Sequence, residues 1–166
     1  MDFLEIKKYP QKILRQKCEP IKEMTDHYRK LFRLMLATMD EYQGIGLAAP
    51  QVGINQMLIV AHIGNEYLEL ANPEVIEAGG RDIKEEGCLS IPDMMVDVNR
   101  AYEVMVRGIN DKGETVEMRA EGLWARVLQH EIDHLHGRLI IDHMKFFSRM
   151  KFKMKRRLCS HAYVRV

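Results

Sequence analysis

From Thr25 to Gly44, apolar side chains recur every three or four residues: Tyr28, Leu31, Phe32, Met35, Leu36 and Met39. That spacing follows the 3.6-residue helical turn and predicts an amphipathic helix, with Thr25 as its N-cap and Gly44 as its stop. The stripe reads as core packing, because Met and Leu on one helix face are mostly buried. Downstream the period changes to two. Residues 57–63 and 66–70 flank Gly64-Asn65 and predict a β-hairpin with a two-residue turn. A second hairpin is predicted over 103–109 and 114–119, through Asn110-Asp111-Lys112-Gly113, with shorter strands around 74–78 and 81–84. Helical spacing returns at Leu123, Val127 and Leu128, predicting a helix from Gly122 to His136 that Gly137 ends. A last helix is predicted from Phe146 to Leu158. Hairpin-linked strands among helices predict an α+β fold: mostly antiparallel sheets packed around a central helix, with a helix at the C-terminus.

Composition narrows the class. The chain has 166 residues, 46% hydrophobic and 30% charged, which fits one globular domain over residues 1–166 with a core of its own. No repeat, low-complexity segment or Pro/Gly/Ser-rich linker divides it. Net charge is +1, so no global electrostatic bias points to a partner. Cys18, Cys88 and Cys159 are odd in number and widely spaced, which argues against a disulfide framework and for a reducing compartment. The start carries no apolar run of signal length and no stretch reaches membrane-span length, so a cytoplasmic location is expected.

The central helix carries His130-Glu131-Ile132-Asp133-His134, of the form H-E-x-x-H. Residues i and i+4 share a helix face, so both imidazoles can reach one metal ion, with Glu131 placed to bond a water beside it. A catalytic metal site needs a third ligand and an open fourth position. The extended protease form of the motif puts a third histidine where this chain has Ile140. His136 points off the metal face, whereas Asp142 and His143 remain open as ligands. Upstream, Glu85-Glu86-Gly87-Cys88-Leu89-Ser90-Ile91-Pro92 offers Cys88; Gly87 permits close backbone approach and Pro92 is expected to end strand pairing. The other reading of a free cysteine is a small buried apolar residue.

Three segments together, residues 44–51 (Gly-Ile-Gly-Leu-Ala-Ala-Pro-Gln), 86–90 (Glu-Gly-Cys-Leu-Ser) and 129–134 (Gln-His-Glu-Ile-Asp-His), resemble the signature motifs of peptide deformylase in order and spacing. The resemblance covers nearly the whole chain. It implies hydrolysis of the N-formyl group from N-formylmethionyl nascent peptides, releasing formate. It implies Cys88, His130 and His134 as ligands of one divalent metal, Fe2+ foremost and Zn2+, Ni2+ or Co2+ as alternatives. Glu131 would be the general base and proton donor, and Gln51 and the Leu89 backbone N–H would bind the oxyanion. Gly46 and Gly87 would bond an extended peptide, while Ile45, Leu123, Val127 and the His130 ring line a methionine pocket. Arg126 is a candidate at the pocket's edge, as are Arg100 and Arg107 for substrate carbonyls. The chain departs from many members at Met94 and Met95, where a basic or polar residue is common.

The C-terminal run Lys145, Arg149, Lys151, Lys153, Lys155, Arg156, Arg157 and Arg165 contains no acid. It reads either as a solvated helix face or as a phosphate-binding surface. The resemblance implies a ribosome contact there. Two other functions compete: a metallopeptidase cutting internal amides, and a non-catalytic ribosome-binding module.

Overall fold

The computed structural model describes residues 3–152 and 154. Among the described residues, α1 (Asp26–Glu41), α2 (Gly122–Leu135) and a helical segment at 146–152 stand among seven strands: β1 (Gly46–Ala48), β2 (Leu58–Ile63), β3 (Glu66–Gly79), β4 (Asp82–Cys88), β5 (Ile91–Arg100), β6 (Glu103–Ile109) and β7 (Thr115–Glu121). Five strands form a sheet in the order β1-β2-β3-β6-β7, and β4 pairs with β5 as a separate ribbon. Every pairing between these strands is antiparallel. The α+β expectation holds, with α2 packed on β1, β2 and β7 at the centre.

Helix α1 buries the predicted stripe: Leu31, Phe32, Met35 and Met39 join Leu47, Leu58 and Val60 in one core cluster. Thr25 is the N-cap, although its hydroxyl makes no capping hydrogen bond. The helix stops before Gly44, because Gln43 takes the left-handed φ of 55° and lets the Gly44 N–H return to the Met39 carbonyl at 2.8 Å. Helix α2 lays Ala125, Leu128, Ile132 and Leu135 into a second cluster with Ile59, Leu70 and Val106. Each such Leu or Ile contributes about 1.5–3 kcal/mol by leaving water. Gly137 ends it with φ 69°, and a Cβ there would lie 2.6 Å from the Arg15 carbonyl oxygen.

The ribbon and the long strand depart from the sequence expectation. Residues 66–70 and 74–78 belong to one 14-residue strand, because Asn72-Pro73 is absorbed as an irregularity rather than a break. Asn72 takes φ 50°, and its amide exchanges hydrogen bonds with the Ile21 backbone at 2.9 and 2.8 Å. Asparagine tolerates that φ and can replace lost ladder bonds. Strand β5 was not expected at all. Pro92 does not end pairing: it is the second residue of β5, and Asp93 (φ 61°) takes the backbone irregularity. Leu89-Ser90 therefore forms the turn of a tight hairpin, with Cys88 paired to Ile91 at its tip.

A third cluster of Leu14, Ile91, Val96, Val98, Leu139, Ile140 and Ile141 holds the ribbon to the C-terminal segment. Helix is present at 146–152, where Phe152 packs on this cluster and Arg149 lies 3.7 Å from Asp142. The remainder of the expected helix to 158, like Cys159, falls outside the described residues apart from position 154. Among the described residues no helix is long and apolar enough to cross a membrane.

Candidate metal centre

Helix α2 and the tip of the β4–β5 hairpin meet at one point. His130 and His134, four residues apart, bring their Nε2 atoms to 3.2 Å of each other, and Cys88 Sγ lies 3.3 Å from His134 Nε2. Their ligand atoms all fall within 4.8 Å of one another, and the set could hold one metal ion. A thiolate and two imidazoles fit a soft or borderline divalent cation. Burial alone would raise the Cys88 thiol, but His134 and His130 beside it hold it well below its ordinary value, towards the thiolate a ligand must be.

Glu86 sets the orientation of His130. Its Oε2 accepts from His130 Nδ1 at 2.9 Å, which leaves Nε2 as the lone-pair nitrogen facing Cys88 and His134. Arg100 binds the same carboxylate with two nitrogens, each at 2.9 Å, and Arg126 Nη1 donates at 2.6 Å. Burial works to raise Glu86, yet His130 and Arg100 hold its carboxyl far below the ordinary range. Arg100 also donates to Asp133, which tethers the ribbon to α2 through buried charge.

Glu131 is buried and its Oε2 has no hydrogen-bond partner among the described residues. Burial raises its carboxyl to about 6, against the opposing pull of His130 and His134. Gly46 on β1 packs against it: a Cβ at that position would stand 2.9 Å from the Glu131 carboxyl carbon and from Val127 Cγ1. Gln51 comes from the short 3-10 turn Ala49–Val52. Its Oε1 accepts from the Ala48 N–H at 2.9 Å, which fixes the amide and turns Nε2 towards Ser90 Oγ (3.3 Å) and Cys88 Sγ (3.6 Å). These groups open into a cavity of about 470 Å³ lined also by Ile45, Gly87, Leu89, Leu123, Arg126 and Val127.

The chain matches the polypeptide deformylase family model over residues 3–150. It belongs to that family. A peptide deformylase of Hydrogenovibrio crunogenus is 45% identical, with 98% of this chain and 99% of the relative covered. The crystal structure of a peptide deformylase from Legionella pneumophila superimposes with a TM-score of 0.88 at 34% identity, covering 99% of both chains. A Met-Ala-Ser-bound class I type b peptide deformylase from Acinetobacter baumannii gives a TM-score of 0.83 at 33% identity, over 86% of this chain and 99% of that one. The chain is thus a metal-dependent deformylase, a hydrolase that removes the N-formyl group from nascent peptides.

Eleven of the twelve residues singled out from the deformylase motifs and their surroundings line this one cavity; the twelfth, His134, is buried beside Cys88. Arg126 lines it, but both its Nη atoms are committed to Glu86, Asp82 and the Val98 carbonyl, so it is neither exposed nor free to grip a substrate with that fork. Arg100 lies buried between Glu86 and Asp133, not at substrate carbonyls, and Arg107 is paired with Glu117 on the surface. His136 is exposed and off the cluster, as expected. Asp142 and His143 are engaged with Arg15 and Asp133 instead of joining the cluster. Sequence reasoning assigned no role to Glu86, Ser90 or Asp133. Alternation along a strand puts positions 86 and 88 on one face, and that signal could have found Glu86.

Proposed function

We propose that residues 1–166 form a single catalytic domain in which Cys88, His130 and His134 hold one divalent metal, Fe2+ before Zn2+, Ni2+ or Co2+. The convergence of those three side chains beside the buried Glu131 carries this reading. The cation, when bound, supplies Lewis acidity that makes water nucleophilic near neutral pH.

The chain's own groups do the rest. Glu131, whose buried Oε2 has no hydrogen-bond partner among the described residues, takes one proton from water as the water oxygen attacks the formyl carbon. The Gln51 amide, locked by Ala48, and the Leu89 backbone N–H donate to the oxyanion that develops; one such donor is typically worth about 3–4 kcal/mol. The C–N bond then breaks, Glu131 returns its proton to the departing amine, and the formic acid formed gives up its remaining proton, which the free amine can take, to leave as formate. Gly46 and Gly87 offer backbone hydrogen bonds to an extended peptide, as suits relatives of a protein seen with Met-Ala-Ser. Ile45, Leu123, Val127, the His130 ring and the stem of Arg126 enclose the methionine side chain. A cytoplasmic location and a ribosome contact through the basic segment from 146 to 158 suit a nascent substrate.

Formyl-Met-Ala-Ser tests the assignment. Formate without internal cleavage is expected, and Glu131→Gln lowers kcat by about 10²–10⁴-fold at equal metal content. Internal cleavage without formate, or unchanged turnover in that variant, overturns it.

A further inference from the structure

The helical segment at 146–152, together with residue 154, carries an apolar stripe that the metal centre does not use. Phe146, Phe147, Met150 and Met154 recur at three- and four-residue spacing and so share one helix face. They are 62%, 77%, 45% and 59% exposed. Other positions hold the segment to the body: Phe152 packs on the cluster of Leu14, Ile91 and Ile140, its ring 5.9 Å from that of Tyr9, and Arg149 lies against Asp142. The stripe therefore faces away from the core. A single exposed Phe or Met is ordinary, but four on one face mark a contact surface. Lys145 and Lys151 are exposed beside it, and from Lys145 onward the sequence holds Lys and Arg with no acid.

We infer that this face docks on an anionic lipid surface, with Phe146, Phe147, Met150 and Met154 at the acyl boundary and the lysines and arginines among the headgroup phosphates. The contact is peripheral, since among the described residues no helix is long and apolar enough to cross a membrane. Apolar side chains beside cations, without an acid, complement a surface that is apolar beneath and negative above. A second copy of the chain would bring the same run of cations against itself, which like charge opposes. A polyanion such as RNA would use the cations and leave Met150 and Met154 in water. The Phe146 and Phe147 rings stand edge to face, 78° apart, and offer no flat platform on which bases could stack. The charges that suit a ribosome contact thus leave the stripe unexplained, whereas a lipid surface engages both. The segment is already folded against the body, so docking carries no cost of helix nucleation.

Flotation of the metal-loaded full chain with lipid vesicles tests this. Vesicles of phosphatidylglycerol and phosphatidylcholine in equal parts are expected to carry the protein, and vesicles of phosphatidylcholine alone to bind it about tenfold or more weakly at low salt. Phe147→Ser is expected to lower binding to the mixed vesicles by about tenfold at any salt. Lys151→Gln is expected to lower it by about fivefold at low salt and little at about 1 M salt, where charge is screened. Both positions are exposed and away from the cavity, so formate release from formyl-Met-Ala-Ser without vesicles stays at the parent rate and reports an intact fold. No binding to the mixed vesicles, or equal binding to the neutral ones, overturns the inference. Binding that Phe147→Ser leaves unchanged overturns it too, because charge alone then suffices. Affinity for a structured RNA that falls in Phe147→Ser as far as vesicle binding does assigns the stripe to nucleic acid and overturns lipid docking. A dimer in vesicle-free solution that the same substitution dissolves assigns it to a second copy, with the same consequence.

Discussion

A side chain larger than hydrogen at position 46 would displace the Glu131 carboxylate, which packs directly against that glycine. Displacing a catalytic group by about 1 Å typically costs 10²-fold in rate. Gly46→Ala is therefore expected to lower formate release by about 10²-fold while bound metal stays at the parent level; equal activity would show that Glu131 need not sit where it does. Glu86 acts one step further out. It holds His130 by Nδ1, and Glu86→Gln is expected to weaken metal retention by about 10–100-fold in a chelator competition. Retention equal to the parent would mean that the carboxylate does not set the histidine's orientation. The same cluster links folding to pH. Glu86 and Asp133 are held below their ordinary values of 4.5 and 3.8, burial being outweighed by His130 and Arg100 at Glu86 and by His143 and Arg100 at Asp133. Their stabilisation is complete above those ordinary values and is lost as pH falls through the lower folded ones. Glu131, raised by burial to about 6, has the opposite sign and loses stability as pH rises from 4.5 to that value. The urea midpoint of metal-free protein is thus expected to fall steeply below about pH 4, and Glu86→Gln to flatten that fall.

The elements owe their legibility to periodicity. Both α1 and α2 were readable because their apolar positions repeat at helical spacing and most of them are buried, Leu123 at the cavity's edge being exposed. The hairpin turn at Gly64-Asn65 was readable because Gly64 takes φ 65°, as a tight turn demands. Strand β5 was hidden because Pro92 and Asp93 signal a break, whereas pairing with β4 accommodates both by a register shift near Cys88. Residues 71–73 were hidden for a similar reason: Asn72 is held in β3 by bonds between its amide and the Ile21 backbone and by its N–H to the Met57 carbonyl, all to residues distant in sequence. Propensity is local and those bonds are not. Met35 measures how far α1 holds the first core cluster together. It is fully buried, so Met35→Ala is expected to cost about 2–5 kcal/mol in urea unfolding at 25 °C. A loss under about 1 kcal/mol would place the helix's anchoring elsewhere.

At the scale of the molecule, the sheet carries α2, the ribbon carries Cys88, and the cavity lies where the two meet. The proposed ligand set was legible because H-E-x-x-H offers two candidate ligands by spacing and the resemblance to the deformylase motifs implies the third. The arginine–carboxylate cluster was not, since Arg100, Arg126 and Glu86 are distant in sequence and meet only when β4, β5 and α2 pack. Arginines read from sequence as surface or substrate groups became the buried charge that joins the two halves of the site. The most direct test of the whole account is formate release from formyl-Met-Ala-Ser by protein purified without oxygen, with metal content measured on the same sample. Formate release rising in proportion to bound metal, up to one ion per chain, and vanishing with a chelator is the predicted result. Full formate release from metal-free protein would contradict it.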